Sequence, residues 1–228
     1  MYFPHRMLVI IMKESRRNHF LRPIWGVLGV LYNENRAIAG EFQCVGDKKL
    51  MTDRPDKQLA EAAIKGDGDS FAELCRRYYP AMVAIAHSVI GDRHLAEDAA
   101  QQAFAVAAVK LPELREAEKF AGWLGVICRN SANDISRKQR VLYDADKLSK
   151  LPAKQDNSPD TEAVREAVAG LTPEAKEVIY LRYYDGLTYE RISKVLGISE
   201  EAINGRLRRA KEKIAEILKR SGFSEVEL

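Results

Sequence analysis

Residues 171–218, LTPEAKEVIYLRYYDGLTYERISKVLGISEEAINGRLRRAKEKIAEIL, decide how the chain folds. The stretch reads as three helices in succession. Thr172 is an N-cap candidate, with Pro173 at the first helical position, where a missing N–H leaves no bond unmade. Val178, Leu181 and Tyr184 give this helix an apolar stripe, and Asp185-Gly186 ends it. A second helix follows the cap Thr188 and buries Ile192, Val195 and Leu196 before Gly197 breaks the chain. Ser199 caps a third, whose Glu200 and Glu201 suit the positive end of the helix dipole. A short helix, a tight turn carrying Gly and a longer helix form a helix-turn-helix.

The third helix shows what the unit is for. Ile203, Leu207, Ala210, Ile214 and Ile217 recur at steps of four and three, so one seam faces a core. The rest of its surface carries Asn204, Arg206, Arg208, Arg209, Lys211, Lys213, Lys219 and Arg220, set against only Glu212 and Glu216. From Ser199 to Arg220 it spans ~30 Å at ~1.5 Å per residue. Its first half fits a major groove while the later cations reach phosphates. The bland alternative is an amphipathic helix with a solvated charged face. The coincidence of cap, turn glycine, apolar seam and basic face favours a DNA-reading element.

Composition narrows the field. The 228 residues are 46% hydrophobic and 30% charged, with a net charge of +3. So mild an excess means that the case for nucleic acid rests on where the charge sits. Cys44, Cys75 and Cys128 are far apart and form no CxxC, against a zinc ribbon or a thioredoxin-like motif. They suit reduced, partly buried thiols in a cytoplasmic protein. No apolar run reaches the ~20 residues of a membrane span; the nearest, 7–12 and 23–32, are too short, so no membrane insertion is expected. His5, His19, His87 and His94 lack the HExxH spacing, and neither GxxxxGK nor GxSxG occurs. No catalytic residue, metal or cofactor is therefore expected, and His87 lies within a helical apolar pattern as a half-buried core residue.

Residues 1–56 have weak periodicity and scattered glycines and aromatics, compatible with a hairpin, a partner-binding arm or a tail. Met51 begins a natural polar start, MTDRPDKQ, and is a second candidate for initiation. From residue 57 to 140 the pattern is helical. Leu59, Ala62, Ala63 and Ile64 make a short helix, and Asp69 or Ser70 caps the next. That second helix buries Phe71, Leu74, Tyr78, Met82, Ile85, Ala86 and Ile90. The GDGD turn between them lacks the bidentate Glu of a calcium loop. A third helix, Arg93 to Val109, has a polar strip of Glu97, Asp98, Gln101 and Gln102 beside apolar Phe104, Val106 and Val109. Glu113 to Glu118 is a charged connector. Phe120 to Arg140 forms a fourth helix with Trp123, Leu124, Ile127 and Ile135 on one side, and Arg129, Asn130, Asn133 and Asp134 on the other. Aromatics beside exposed Asn and Arg suit unstacked bases, although Trp123 alone reads better as core. Residues 141–159 hold two prolines and read as a tether, which fully extended reaches ~60 Å. Glu162 to Leu171 supplies one more helix.

Taken together, the segments DSFAELCRRYYPAMVAIAHSVIGDRHLAEDAAQQAF, KFAGWLGVICRNSANDISRKQR and LTPEAKEVIYLRYYDGLTYERISKVLGISEEAINGRLRRAKEKI resemble a bacterial RNA polymerase sigma factor of the extracytoplasmic-function type. The resemblance runs from Asp56 to Arg220. It implies an all-α chain of two small helical domains: a sigma-2-like bundle at 57–140 and a sigma-4-like helix-turn-helix at 160–228, joined by the flexible linker. It also implies that Glu97, Asp98, Gln101, Gln102 and Phe104 dock on the polymerase clamp helices, with Gln102 where the family usually has Glu. Asn130, Asn133, Arg137 and Lys138 would contact the −10 element, next to a base-capturing loop at Glu113 to Ala117. Ala202, Asn204, Gly205, Arg208 and Arg209 match positions that read the −35 element, and Arg206 would bind phosphate. At 202, 204 and 205 the family commonly has Thr, Lys or Arg, and Ser. The partners implied are core RNA polymerase and promoter DNA, with an anti-sigma factor as a further candidate.

Two boxes two helical turns apart are separated by ~70 Å, which two domains on a tether can span. The rival reading is a ligand-responsive regulator, which would need an apolar pocket and a dimer on palindromic half-sites. The Asn- and Arg-rich helix and the lack of a dimerising heptad stretch speak against it.

Overall fold

Every regular element in the computed structural model, which describes residues 54–146 and 159–220, is helical. In chain order these are α1 (Asp56–Ile64), α2 (Gly68–Ile90), α3 (Arg93–Lys110), α4 (Phe120–Asp146), α5 (Pro159–Ala169), α6 (Pro173–Ile179), α7 (Tyr189–Leu196) and α8 (Glu200–Arg220). Two 3₁₀ turns, Leu111–Glu113 and Ala117–Lys119, shape the charged connector. The expectations for residues 1–53 lie outside the described residues. The all-helical architecture is as expected.

Local chemistry places the ends. Asp67, not Asp69 or Ser70, caps α2: its carboxylate accepts from the Asp69 and Ser70 amides at 3.1 and 3.4 Å and from the Ser70 hydroxyl at 2.6 Å. The acidic turn is thus an N-cap placed two to three residues earlier than the sequence suggested. The fourth helix runs six residues past Arg140, to Asp146. Nothing in VLYDAD stops it, because the first proline beyond is Pro152. The predicted tether thus loses its first third to helix, and 147–158 lie outside the described residues.

The described helices fall into two compact units, 54–79 with 104–120 and 80–103 with 121–146 and 159–220. In the first, Phe120 is 2% exposed, edge-on to Phe71 with ring centres 6.5 Å apart and tilted on Tyr78 at 5.9 Å. Tyr78 donates to Asp56 at 2.6 Å, and Arg77 joins Asp56 and Glu73 at 2.6 and 2.8 Å. This half-buried network ties α1 to α2 by charge-assisted bonds.

The second unit holds Met82, Ile85, Leu124 and Cys128 in its core, with the Cys128 thiol donating to the Met82 carbonyl at 3.2 Å. Burial pushes that thiol up to about 12, so it stays protonated and unreactive at neutral pH. Among the C-terminal helices, Ala167 and Leu171 pack on Ala210, Ile214 and Leu218 of α8. Leu218 closes the seam where the sequence pattern suggested Ile217, which is only half-buried. Thr172, Thr188 and Ser199 cap α6, α7 and α8 as expected, accepting from Ala175, Arg191 and Ala202 amides.

The helix read as continuous from Thr172 to Tyr184 changes register. After Ile179 it widens into a π-turn, Tyr180–Tyr184, closed by the Asp185 amide on the Tyr180 carbonyl at 3.1 Å. The turn leaves Asp185 half-buried with one carboxylate oxygen unpartnered, and burial pushes its pKa up to about 6 against the pull of Arg93. The folded form therefore holds this proton more tightly than the unfolded chain. Its stabilising contribution is complete below about pH 4 and is lost as pH rises through about 6. Asp185→Asn is expected to raise stability at pH 7.5 by about 1 kcal/mol, allowing for solvent screening, and to change little at pH 4. Thermal unfolding of both proteins at the two pH values checks this; an equal gain at both would exclude the charge as its cause.

Candidate nucleic-acid interface

The turn between α7 and α8 sets the recognition helix. Gly197 takes the left-handed conformation, φ +67, which a residue with a Cβ adopts only at a cost, and the chain reverses there within three residues. The Ser193 hydroxyl donates across the turn to the Ile198 carbonyl at 2.6 Å, and the Arg182 guanidinium lies 5.1 Å over the Tyr189 ring while donating to the Leu187 carbonyl. Ile203 and Leu207 bury against the unit, which turns the opposite side of α8 outward. Ala202, Asn204, Arg208 and Arg209 are exposed there, and Gly205 and Arg206 are half-buried. Arg208 makes an exposed pair with Glu212 at 3.1 Å, too weak to hold it from a phosphate or base. Lys211 sits 5.4 Å over the exposed Tyr183 ring and is partly covered.

On α4, Asn130, Asn133, Arg137 and Lys138 are all exposed, and their spacing of three, four and one puts them on one side of the helix. Val126, 52% exposed, extends that side by one turn. Trp123 is half-buried. Arg129 is not part of this free surface. Its Nε meets Glu177 Oε1 of α6 at 2.6 Å, and Glu177 is only 9% exposed. Sequence gave no sign of this pair, since 48 residues separate its members and both read as ordinary helix-surface charges.

In the other unit, the connector and α1 flank an open cleft of about 300 Å³ whose charged lining residues are Lys57, Glu61, Lys65, Arg115, Glu116 and Glu118. Lys57 and Glu118 pair across it at 2.5 Å. Charged groups of both signs share its walls with apolar Ile64, Leu114 and Ala117.

The strip on α3 is partly as expected. Asp98 is exposed, Gln101 and Gln102 are half-exposed, and Glu97 pairs with Arg93 at 3.1 Å. Phe104 belongs to the other unit and is buried, 2% exposed, with its ring stacked on Tyr79 at 6.3 Å. Its ring is part of that unit's core. The apolar step that marked it out in the sequence was a core signal.

Against known families, residues 161–214 match the model described as Sigma-70, region 4, and residues 74–141 that described as Sigma-70 region 2; together they take in just over half of the chain. The chain belongs to the sigma-70 family of RNA polymerase sigma factors, in its extracytoplasmic-function (ECF) group. This sigma factor is 27% identical over 180 residues to the ECF RNA polymerase sigma factor SigW of Bacillus subtilis, covering 72% of its own length and 96% of that protein. It is 29% identical over 171 residues to the probable RNA polymerase sigma factor RfaY of Xanthomonas campestris, covering 69% of its own chain and 43% of the relative. A solved structure of CnrH in complex with the cytosolic domain of CnrY is similar at a TM-score of 0.51 and 25% identity, over 72% of this chain and 97% of that one. No described helix of the sigma factor is long and apolar enough to cross a membrane.

Proposed function

We propose that this sigma factor, which directs core RNA polymerase to promoters, divides the task among three surfaces. The outward side of α8, with Ala202, Asn204, Gly205, Arg206, Arg208 and Arg209, reads the −35 element. The side of α4 bearing Asn130, Asn133, Arg137 and Lys138 engages the −10 element, and the Glu113–Ala117 connector beside the charged cleft captures a base turned out of the stack. Glu97, Asp98, Gln101 and Gln102 on α3 meet the polymerase, and Phe104 follows them on the same helix. The domains doing this work are 57–140 and 160–228, joined by the segment 141–159.

The observation that supports this most is that two helices far apart in sequence each present an exposed side of amide and guanidinium groups, the chemistry that contacts base edges and phosphates. Melting then follows from differential binding: a base held outside the duplex offsets the few kcal/mol lost on unstacking. Free sigma would bind duplex weakly, and polymerase would supply the geometry that makes the two contacts act together. CnrH is seen in complex with the cytosolic domain of CnrY, and an anti-sigma protein that binds this chain is part of the proposal.

Run-off transcription with purified core polymerase on a promoter library tests the reading, using the full chain and a version starting at Met51. Promoter-dependent transcripts are expected from both, and Arg137→Ala with Lys138→Ala should reduce them about tenfold or more without weakening polymerase binding. No promoter-dependent transcript from either protein would overturn the proposal.

A further inference from the structure

Gly205 stands at the centre of the outward face of α8. At ~100° per residue it lies about 180° round the helix from the middle of the buried seam formed by Ile203, Leu207, Ala210, Ile214 and Leu218. A residue at that place should be open to solvent, yet Gly205 is half-buried. What covers it is Arg209, one turn later. A Cβ on Gly205 would have Arg209 Nη1 at 3.5 Å, Nη2 at 3.9 Å and Cζ at 4.0 Å, its nearest neighbours apart from the helix's own backbone. Side chains on a helix lean toward its N-terminus, so residues four apart meet. The arginine head is thus carried back by about 6 Å, the rise of four residues, onto bare backbone. Among the described residues no carboxylate pairs with Arg209, whereas Arg208 next to it meets Glu212 at 3.1 Å.

We infer that Gly205 is a positioning residue for base recognition: it makes no base contact of its own but gives the Arg209 head a seat low on the helix, and the two together set which base is accepted there. The inference rests on α8 being the −35 reader. A recognition helix enters the major groove with its N-terminal residues against the base edges. Arg209 is the tenth residue of α8, and laying its head back over Gly205 brings the guanidinium one turn nearer that end. A guanidinium is a planar fork that matches guanine O6 and N7 only in one orientation, so its pose decides between reading a base and merely adding charge. Holding the pose before DNA arrives lowers the ordering cost of binding. A side chain at 205 would compete for the same space. A γ atom one bond of ~1.5 Å beyond the Cβ, and aimed at Nη1, would approach to roughly 2 Å. Valine fills both γ positions that a helix leaves open, so with valine at 205 the arginine must stand away.

The test is transcription by the full chain with core polymerase on promoters randomised through the −35 region, read as base preference at each position. Arg209→Ala marks the position that Arg209 reads by flattening it. Gly205→Val is expected to flatten that same position, lowering discrimination there about tenfold, the scale of one good arginine–base contact. Preference at the other positions should persist. Arg209→Ala combined with Gly205→Val should lose no more than Arg209→Ala alone, because both changes remove one interaction. Valine is no poorer a helix former than glycine, and unchanged circular dichroism and thermal unfolding check that the fold is kept. Full preference at the Arg209 position in Gly205→Val would overturn the inference. So would flattening at a different position, or a further loss in the double variant, since residue 205 would then act on DNA without Arg209. Should Arg209→Ala flatten no position, α8 is not the reader and the inference falls with that reading.

Discussion

Arg208→Ala together with Arg209→Ala is expected to cut promoter-dependent initiation roughly 10²- to 10⁴-fold, because each arginine aimed at a base or phosphate is worth about 1–3 kcal/mol. Both guanidiniums are exposed on the side of α8 opposite its apolar seam. The pair Arg208 makes with Glu212 is an exposed contact worth a few tenths of a kcal/mol, so the helix itself should hardly notice the change. Ile203, Leu207, Ala210 and Ile214, which do hold α8, are untouched. The measurement is run-off transcription alongside polymerase affinity and thermal unfolding. Initiation should collapse while the other two stay within error. A uniform fall in all three would mean that the arginines were structural, and unchanged initiation would remove α8 as the −35 reader.

Phe120→Ala should have the largest effect on stability. The ring is 2% exposed at the start of α4 and touches Phe71 from the edge and Tyr78 at a tilt, so truncation removes the buried area, two aromatic contacts and the shape that Phe71 packs on. Large-to-small changes of this kind cost about 3–5 kcal/mol. Against a total of ~5–15 kcal/mol that is a large share, and the melting temperature should fall by roughly 6–20 °C. Phe120→Leu keeps most of the volume and should lose less than half as much. Equal losses in the two variants would show that ring geometry, rather than cavity volume, dominates. Phe120 is not among the residues proposed to contact DNA, so binding of the folded protein to duplex DNA should be little changed.

How far the sequence reached can be judged element by element. Caps at Thr172, Thr188 and Ser199, the left-handed turn at Gly197 and the seam from Ile203 to Ile214 were all legible, because each depends on bonds or packing within a few residues. The π-turn was not. A 3.6-residue pattern and one widened turn bury nearly the same side chains, and the turn's Tyr180 and Tyr184 pack on His87, more than ninety residues earlier. His87 was read correctly as half-buried. What it packs on was invisible, as was the unpartnered Nδ1 and the burial that lowers its pKa. Phe104 marks another limit: a lone aromatic next to a polar strip has the same sequence appearance whether it caps the surface or fills the core.

By itself the sequence determined that this is an all-helical chain with a DNA-reading helix near its end and a second amide- and arginine-bearing helix before it, because helical period, caps and turn residues act over a few positions. Tertiary structure alone decided that Arg129 is spoken for by Glu177, that Gly122 and Gly125 admit α7, and that Asp185 is held where its charge is costly. Those facts depend on which surfaces meet across tens of residues, and pairing of that kind leaves no periodic trace in the order of the side chains.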